Sequence, residues 1–166
     1  MLPEPWLRGP ITGIDPWLLP VAHAFVQAGD ELARAAAGLS LDQLWARPGA
    51  AASVAFHIRH TAGATDRLLT YARGETLSDG QKQGAAAEAQ EQPRLEAGSL
   101  LATLTAALES ATAQLRQTPR ESLLEFRGVG RSQLPSSVLG LLFHAAEHAQ
   151  RHAGQAVTTA KILRSF

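Results

Sequence analysis

The sequence has 166 residues, with 15 Lys and Arg against 15 Asp and Glu, no cysteine and six histidines. Without cysteine the chain cannot form disulfides, Cys-ligated zinc sites, iron–sulfur clusters or thiol nucleophiles. The zero formal net charge provides no basic excess of the kind that favours binding to nucleic acid or to an anionic membrane.

Residues 1–15 predict an irregular, proline-rich lead-in. This segment lacks the basic start and continuous apolar stretch of a signal peptide. No run in the sequence approaches the ~18 apolar residues that a membrane-spanning helix needs. The length fits one domain, so we expect a single domain over residues 1–166. From the missing targeting and membrane-spanning segments we expect a cytoplasmic location, and from the balanced charge we expect no membrane or nucleic-acid partner.

The first predicted helix covers residues 17–37, where apolar residues recur with a helical period. Asp15 is suited to be its N-cap, and Pro16 fits the first helical position. Pro20 lies deeper than a helix start tolerates easily, which predicts either a kink or a separate turn there. Gly38 suits the C-terminal stop.

The second predicted helix covers residues 53–73, with Ser53 as its N-cap and Gly74 as its stop. The polar segment 75–98 follows, and within it a short helix is predicted over residues 79–89. This connection is long for a bare loop, which indicates a cross-over between helices or a functional lid.

The third predicted helix covers residues 97–117 and ends before Pro119. Residues 120–134 predict a short extended piece and a glycine turn. The last helix is predicted over residues 135–163, opened by the segment 135–137. Four long helices with one long connection predict an all-α fold, a four-helix bundle with a long cross-over rather than simple up-down-up-down order.

Five of the six histidines fall in two clusters, which are His57 and His60 on the second helix and His144, His148 and His152 on the last. Two histidines four residues apart lie about 6 Å apart along a helix and can bind one ion. His144 and His152 are about 12 Å apart, so one ion would take His148 with one or the other. The third ligand would come from the second helix. Neutral imidazoles favour zinc, nickel, iron or copper over magnesium or calcium.

Two other interpretations of the histidines compete with a metal site of this kind. Alanines surround them, so they could be interior residues that hydrogen-bond one another without a metal. The run from His144 to His148 also matches the H-x-x-E-H pattern of inverted zinc proteases, in which Glu147 would be the base. That pattern needs a further ligand, and no Asp or Glu follows position 148, so we expect Glu147 to pair with Arg151 instead. His23 stands alone and is predicted to be structural or at the surface.

The segment 53–64, SVAFHIRHTAGA, together with the segment 148–155 of pattern H-x-x-x-H-x-G-Q, resembles the DinB/YfiT-like family of metal-dependent enzymes. The resemblance covers essentially the whole chain, and the second segment is its most specific part. It implies a four-helix bundle with a cross-over, often a homodimer. It also implies a divalent metal, usually zinc or nickel with iron as a further candidate, bound by His60, His148 and His152.

His57 and His144 are departures from the pattern of that family. Because His57 is three residues from His60, about 60° around the helix, either of the two could be the ligand. The extra histidines could instead support the ligands or carry protons.

Three further residues lie near the implied site. Gln155 returns to the face of His148 and could support a ligand, and Gly154 would let a neighbouring helix come close. Arg67, seven residues after His60, lies on the ligand face, where it would meet an anionic substrate or pair with a buried carboxylate.

The function expected from these features is that of a metal-dependent enzyme acting on a small molecule. A three-histidine metal with an open position lowers the pKa of bound water and polarises a substrate oxygen. This predicts a hydrolase that uses metal-bound water, or a transferase of a small-molecule thiol, since the chain has no cysteine. The alternative is a non-catalytic, stress-related dimeric bundle that holds a metal or another ligand.

Overall fold

The computed structural model describes residues 3–90 and 94–165. Residues 1–2 of the predicted lead-in, residues 91–93 within the predicted connection and Phe166 lie outside the described residues. The described elements are α1 (Leu19–Ala36), α2 (Leu41–Trp45), α3 (Val54–Ala72), α4 (Asp79–Glu88), α5 (Ala97–Gln117), β1 (Phe126–Val129), β2 (Leu134–Ser137) and α6 (Val138–Leu163).

The four long helices α1, α3, α5 and α6 form a bundle, which confirms the all-α prediction. Helix α6 packs against α1 and α3, and α5 packs against the same two helices from the other side. The consecutive long helices α1 and α3 therefore lie across a diagonal of the bundle. Buried residues from all four helices meet in one apolar core, dominated by alanine and leucine.

The direction of each helix follows from two successive contacts in each packed pair. These contacts are Ala24–Gln150 and Ala35–Arg164 for α1 with α6, His57–His152 and His60–His148 for α3 with α6, and Thr12–Arg116 and Gly29–Leu108 for the α1 side with α5. Helix α6 therefore runs parallel to α1, whereas α3 and α5 run the opposite way. Because α3 and α5 are parallel neighbours, their connection must return along the bundle, and α4 lies in this cross-over.

Of the two predicted starts for α1, a kinked helix or a separate turn, the structure shows the separate turn. The Asp15 carboxylate accepts a hydrogen bond from the Trp17 backbone at 2.9 Å and caps a separate 3-10 turn. The α-helix begins only at Leu19, which places Pro20 in its first turn, where its missing N–H costs no helical bond. Gly38 follows the helix with φ of 74°, the left-handed conformation that suits glycine at a helix end.

The caps of α3 and α4 confirm the predicted starts of these helices. Ser53 accepts a hydrogen bond from the Phe56 backbone at 3.1 Å, and Ser78 does the same for Gln81. Helix α2 is absent from the sequence prediction, although Ser40 and Gln43 form the reciprocal hydrogen bonds of a capping box.

The predicted start of the last helix at residue 135 is wrong. Residues 134–137 form β2, which pairs antiparallel with β1, and the Ser137 side chain caps α6 by accepting from the Gly140 backbone at 3.0 Å. The first backbone N–H groups of α6 donate to Glu125 and Leu123. These long-range bonds draw the segment before Val138 into a hairpin, which its own sequence does not specify.

Candidate metal centre

Three histidines from α3 and α6 converge near the middle of these antiparallel helices. His60 lies opposite His148 and His152, and one ring nitrogen from each lies within 4.8 Å of the other two. Nε2 of His60 is 2.9 Å from Nε2 of His148. The spacing of one turn places His148 and His152 on the same face of α6, with ring centroids 4.5 Å apart.

The donor set of this cluster fits one divalent ion. Two nitrogens that bind the same ion at about 2.1 Å lie about 3.0–3.4 Å apart, and the His60–His148 pair, at 2.9 Å, is close to this spacing. The remaining contraction is about 2 Å at most, which side-chain rotation can supply. The predicted pairing of His148 with His152, rather than with His144, is therefore the one that the structure brings to His60.

The electrostatics of the cluster favour neutral rings with free lone pairs. Burial, with a smaller contribution from the neighbouring His60, lowers the pKa of His152 from 6.5 to about 3. Burial and His60 also lower the pKa of His148. Both rings are therefore neutral at pH 7, which is the form that binds a metal.

Glu88, at the end of α4, contacts the outer side of the cluster. Its Oε2 accepts a hydrogen bond from Nδ1 of His60 at 2.7 Å, and Arg67 pairs with both carboxylate oxygens. Burial opposes ionisation of Glu88, but hydrogen bonds from His60 and Arg67 more than offset it and hold its pKa below the ordinary value. Because the carboxylate accepts from Nδ1, that nitrogen carries a proton, and Nε2 is the His60 nitrogen that faces His148 and can offer a lone pair to a metal.

Glu88 was not a candidate from sequence, and Arg67 takes the second of its two predicted roles, pairing with a buried carboxylate. The capping pattern at Ser78 predicts α4 and so places Glu88 near its end. No local signal indicates that this glutamate reaches His60, which lies 28 positions earlier in the chain.

His57 lies behind His152 rather than in the place of His60. The two Nδ1 atoms of His57 and His152 are 2.9 Å apart. When Nδ1 of His152 donates to His57, Nε2 of His152 has a lone pair and is the nitrogen left for a metal. Burial lowers the pKa of His57 to about 4, with His60 contributing, so this ring is also neutral. The contact matches the predicted supporting role of His57.

His144 is not one of the three clustered histidines, although its ring centroid lies 5.6 Å from that of His148. Its side chain is 51% exposed, and its Nδ1 is 3.5 Å from the carboxylate of Glu147. Glu147 in turn accepts from Nε of Arg151 at 3.0 Å, as predicted. The H-x-x-E-H pattern is therefore divided: His144 is exposed, Glu147 is engaged in an ion pair along the helix, and His148 belongs to the cluster.

The remaining sequence candidates have separate surroundings. Gly154 was expected to admit a neighbouring helix, which is wrong, since no described atom lies within 4 Å of a Cβ built there. Gln155 is exposed and lines a depression of about 540 Å³ whose lining also includes His57 and Arg151. The ring of His23 bonds the carbonyl of Gly9 at 2.9 Å, in agreement with a structural role.

Comparison with known proteins identifies one family. A family model described as the DinB superfamily matches residues 24–156, a range that contains all three clustered histidines. None of the curated proteins matches the chain. Within the described residues, no helix has the length and apolar character required to cross a membrane.

Proposed function

The chain belongs to the DinB superfamily, and from its histidine cluster we propose that it is a divalent-metal-dependent enzyme acting on a small molecule. The observation that carries this proposal is the convergence of His60, His148 and His152, whose ring nitrogens lie within 4.8 Å of one another. An all-imidazole donor set suits zinc or nickel, and also iron, better than magnesium or calcium.

An ion held by three imidazoles keeps a position for water or substrate, lowers the pKa of that water and polarises a substrate oxygen. The chain's own residues prepare this site. Glu88 keeps the proton on Nδ1 of His60, and His57 orients His152 through the contact between their Nδ1 atoms. Phe56 stacks on the His60 ring with centroids 5.3 Å apart, which restricts the rotation of that ring.

Hydrolysis is the reaction class that we propose, because this site needs no nucleophile from a side chain. Transfer of a thiol to an electrophile would use the same open position. In that case the thiol would come from a small molecule, because the chain has no cysteine.

The test combines metal analysis with turnover on full-length protein purified without a histidine tag. We expect close to one zinc or nickel ion per chain, loss of that ion in His148→Ala, and hydrolysis of members of an ester and amide panel. Chelation should abolish the hydrolysis, and the same metal should restore it. A second panel pairs small thiols with electrophiles.

Each other outcome contradicts a defined part of the proposal. Protein without metal, or a His148→Ala variant with unchanged metal content, would refute the metal centre. Turnover only in the thiol panel would replace hydrolase by thiol transferase. Stoichiometric metal without turnover in either panel would support the non-catalytic metal-binding bundle.

A further inference from the structure

Glu88 has surroundings that distinguish it from the other residues of α4. Its side chain is buried, with a relative exposure of 9%, whereas the other residues of α4 are not buried. Its carboxylate meets Nδ1 of His60 at 2.7 Å on one side and the guanidinium of Arg67 on the other. A carboxylate that accepts from the far nitrogen of a ligating imidazole fixes the tautomer and orientation of the ring.

Gly63 on α3 leaves the space that this carboxylate occupies. A Cβ at position 63 would overlap Oε1 of Glu88 and would lie 2.8 Å from Nη1 of Arg67. Glycine inside a helix is destabilising relative to alanine. The glycine at this position therefore makes room for the Glu88–Arg67 pair beside His60.

Helix α4 docks on α3 through polar contacts at both of its ends. Near its start, Gln81 donates to the Asp66 carboxylate at 2.7 Å. At its end, Arg59 donates to the carbonyl of Ala87 at 3.0 Å, and just beyond the helix it donates to the carbonyl of Gln90 at 2.7 Å. Arg59 immediately precedes His60, so it holds the end of α4 that contains Glu88 beside His60.

We propose that Glu88 is a positioning residue for His60. Helix α4 of the cross-over would then contribute to metal binding by holding the His60 ring through Glu88. The inference rests on the proposed function, because it concerns the same three-histidine site. Coupling between two binding events is reciprocal: if docked Glu88 strengthens metal binding by some factor, the metal strengthens docking of α4 by the same factor.

The direct test is calorimetric titration of the metal-free, untagged full chain with zinc. We expect Glu88→Ala to weaken zinc binding by about 10- to 100-fold. Glu88→Gln should weaken it less, because its amide oxygen can still accept from Nδ1 of His60. Both variants lose the ion pair with Arg67, so a difference between them in zinc affinity reports the contact to the ring rather than the stability of the ion pair.

Glu147→Gln is the matched control. It also removes one carboxylate that pairs with an arginine near the cluster, but Glu147 contacts Arg151 and His144 and none of the three clustered histidines. We expect its zinc affinity to stay within about twofold of wild type, since the charge it removes is screened by solvent.

The outcomes separate this inference from the proposed function. If wild type binds no zinc, the proposed function fails and this inference fails with it. If wild type binds zinc and Glu88→Ala binds it equally well, only this inference is overturned. A loss of affinity in Glu147→Gln equal to that in Glu88→Ala would also overturn it, because a general charge effect would then explain both.

A second measurement uses only wild-type protein and so does not depend on whether the variants fold. Amide hydrogen exchange of residues 79–88 is compared with and without saturating zinc, with residues 108–117 of α5 as the internal reference. We expect zinc to slow exchange in α4 more than in the reference segment. Unchanged exchange in α4 at full zinc occupancy would overturn the coupling.

Discussion

Gly63→Ala perturbs the contact between Glu88 and His60 without changing a charged or metal-binding residue. The new methyl group would lie too close to Oε1 of Glu88 for both atoms to keep their positions. Because that atom is at the end of a flexible side chain, the carboxylate can move away while α3 keeps its path. The variant should therefore fold, but with Glu88 displaced from His60.

The magnitude follows from comparison with Gly154→Ala, which is also inside a long helix but has no described atom within 4 Å of the added methyl group. Gly154→Ala should raise the free energy of unfolding by about 0.5–1 kcal/mol, the usual gain for alanine in a helix interior. Gly63→Ala gains the same term but loses hydrogen bonds to a charged group, which contribute about 1.5–3 kcal/mol. We therefore expect Gly63→Ala to be less stable than Gly154→Ala by about 1.5–3 kcal/mol.

The assays are urea denaturation followed by circular dichroism and zinc titration of the metal-free proteins. Zinc affinity should fall by about tenfold or more in Gly63→Ala and stay unchanged in Gly154→Ala. The reasoning is refuted if both variants gain equal stability and bind zinc as wild type does, since the space at Gly63 would then have no role in placing Glu88.

Three further predictions address the rest of the site and the start of α6. His57→Ala should keep the zinc stoichiometry but lower the zinc affinity about tenfold or more, because His152 loses its hydrogen-bond partner. His144→Ala should change neither the stoichiometry nor the affinity. Calorimetric titration of the two variants with zinc checks both expectations. The metal-free protein should lose stability as pH falls from 6.5 towards 4. In this range the unfolded chain binds protons at His57 and His152, whereas the folded chain, in which their pKa values are about 4 and about 3, does not. Equal free energies of unfolding at pH 7 and pH 5 would contradict this. Ser137→Ala should destabilise the protein by about 0.5–2 kcal/mol through loss of the α6 cap, and Ser136→Ala, whose hydroxyl caps no helix, should cost less in the same denaturation assay.

The long helices could be predicted from sequence because their signals are local. Serine caps at positions 53 and 78, glycine stops at 38 and 74, and apolar residues at helical spacing all act within a few residues of the positions that they determine. The start of α6 was misplaced because its preceding residues pair with β1, and that pairing depends on a strand that precedes them across a turn. Such pairings override local preference.

The same division holds within the site. The helical repeat alone puts His148 and His152 one turn apart, and it excludes binding of His144 and His152 to one ion. It leaves His57 and His60 equivalent, because both lie near the same face of α3. The antiparallel packing of α3 on α6 decides between them: it sets His60 against His148, and His57 against the far nitrogen of His152.

The sequence by itself determined the four long helices, apart from the start of α6, and a donor set without thiolate ligands, since these follow from a fixed helical repeat and covalent composition. The repeat left His148 with either His144 or His152, and the packing of the helices brought His152 to the cluster. Only the tertiary structure decided which histidine of α3 completes the cluster, and that Glu88 and Arg67 stand behind it. The physical reason is that Glu88 of α4 reaches His60 only when the cross-over that connects α3 to α5 returns along the bundle. That path is set by packing of the whole chain, and no segment encodes it locally.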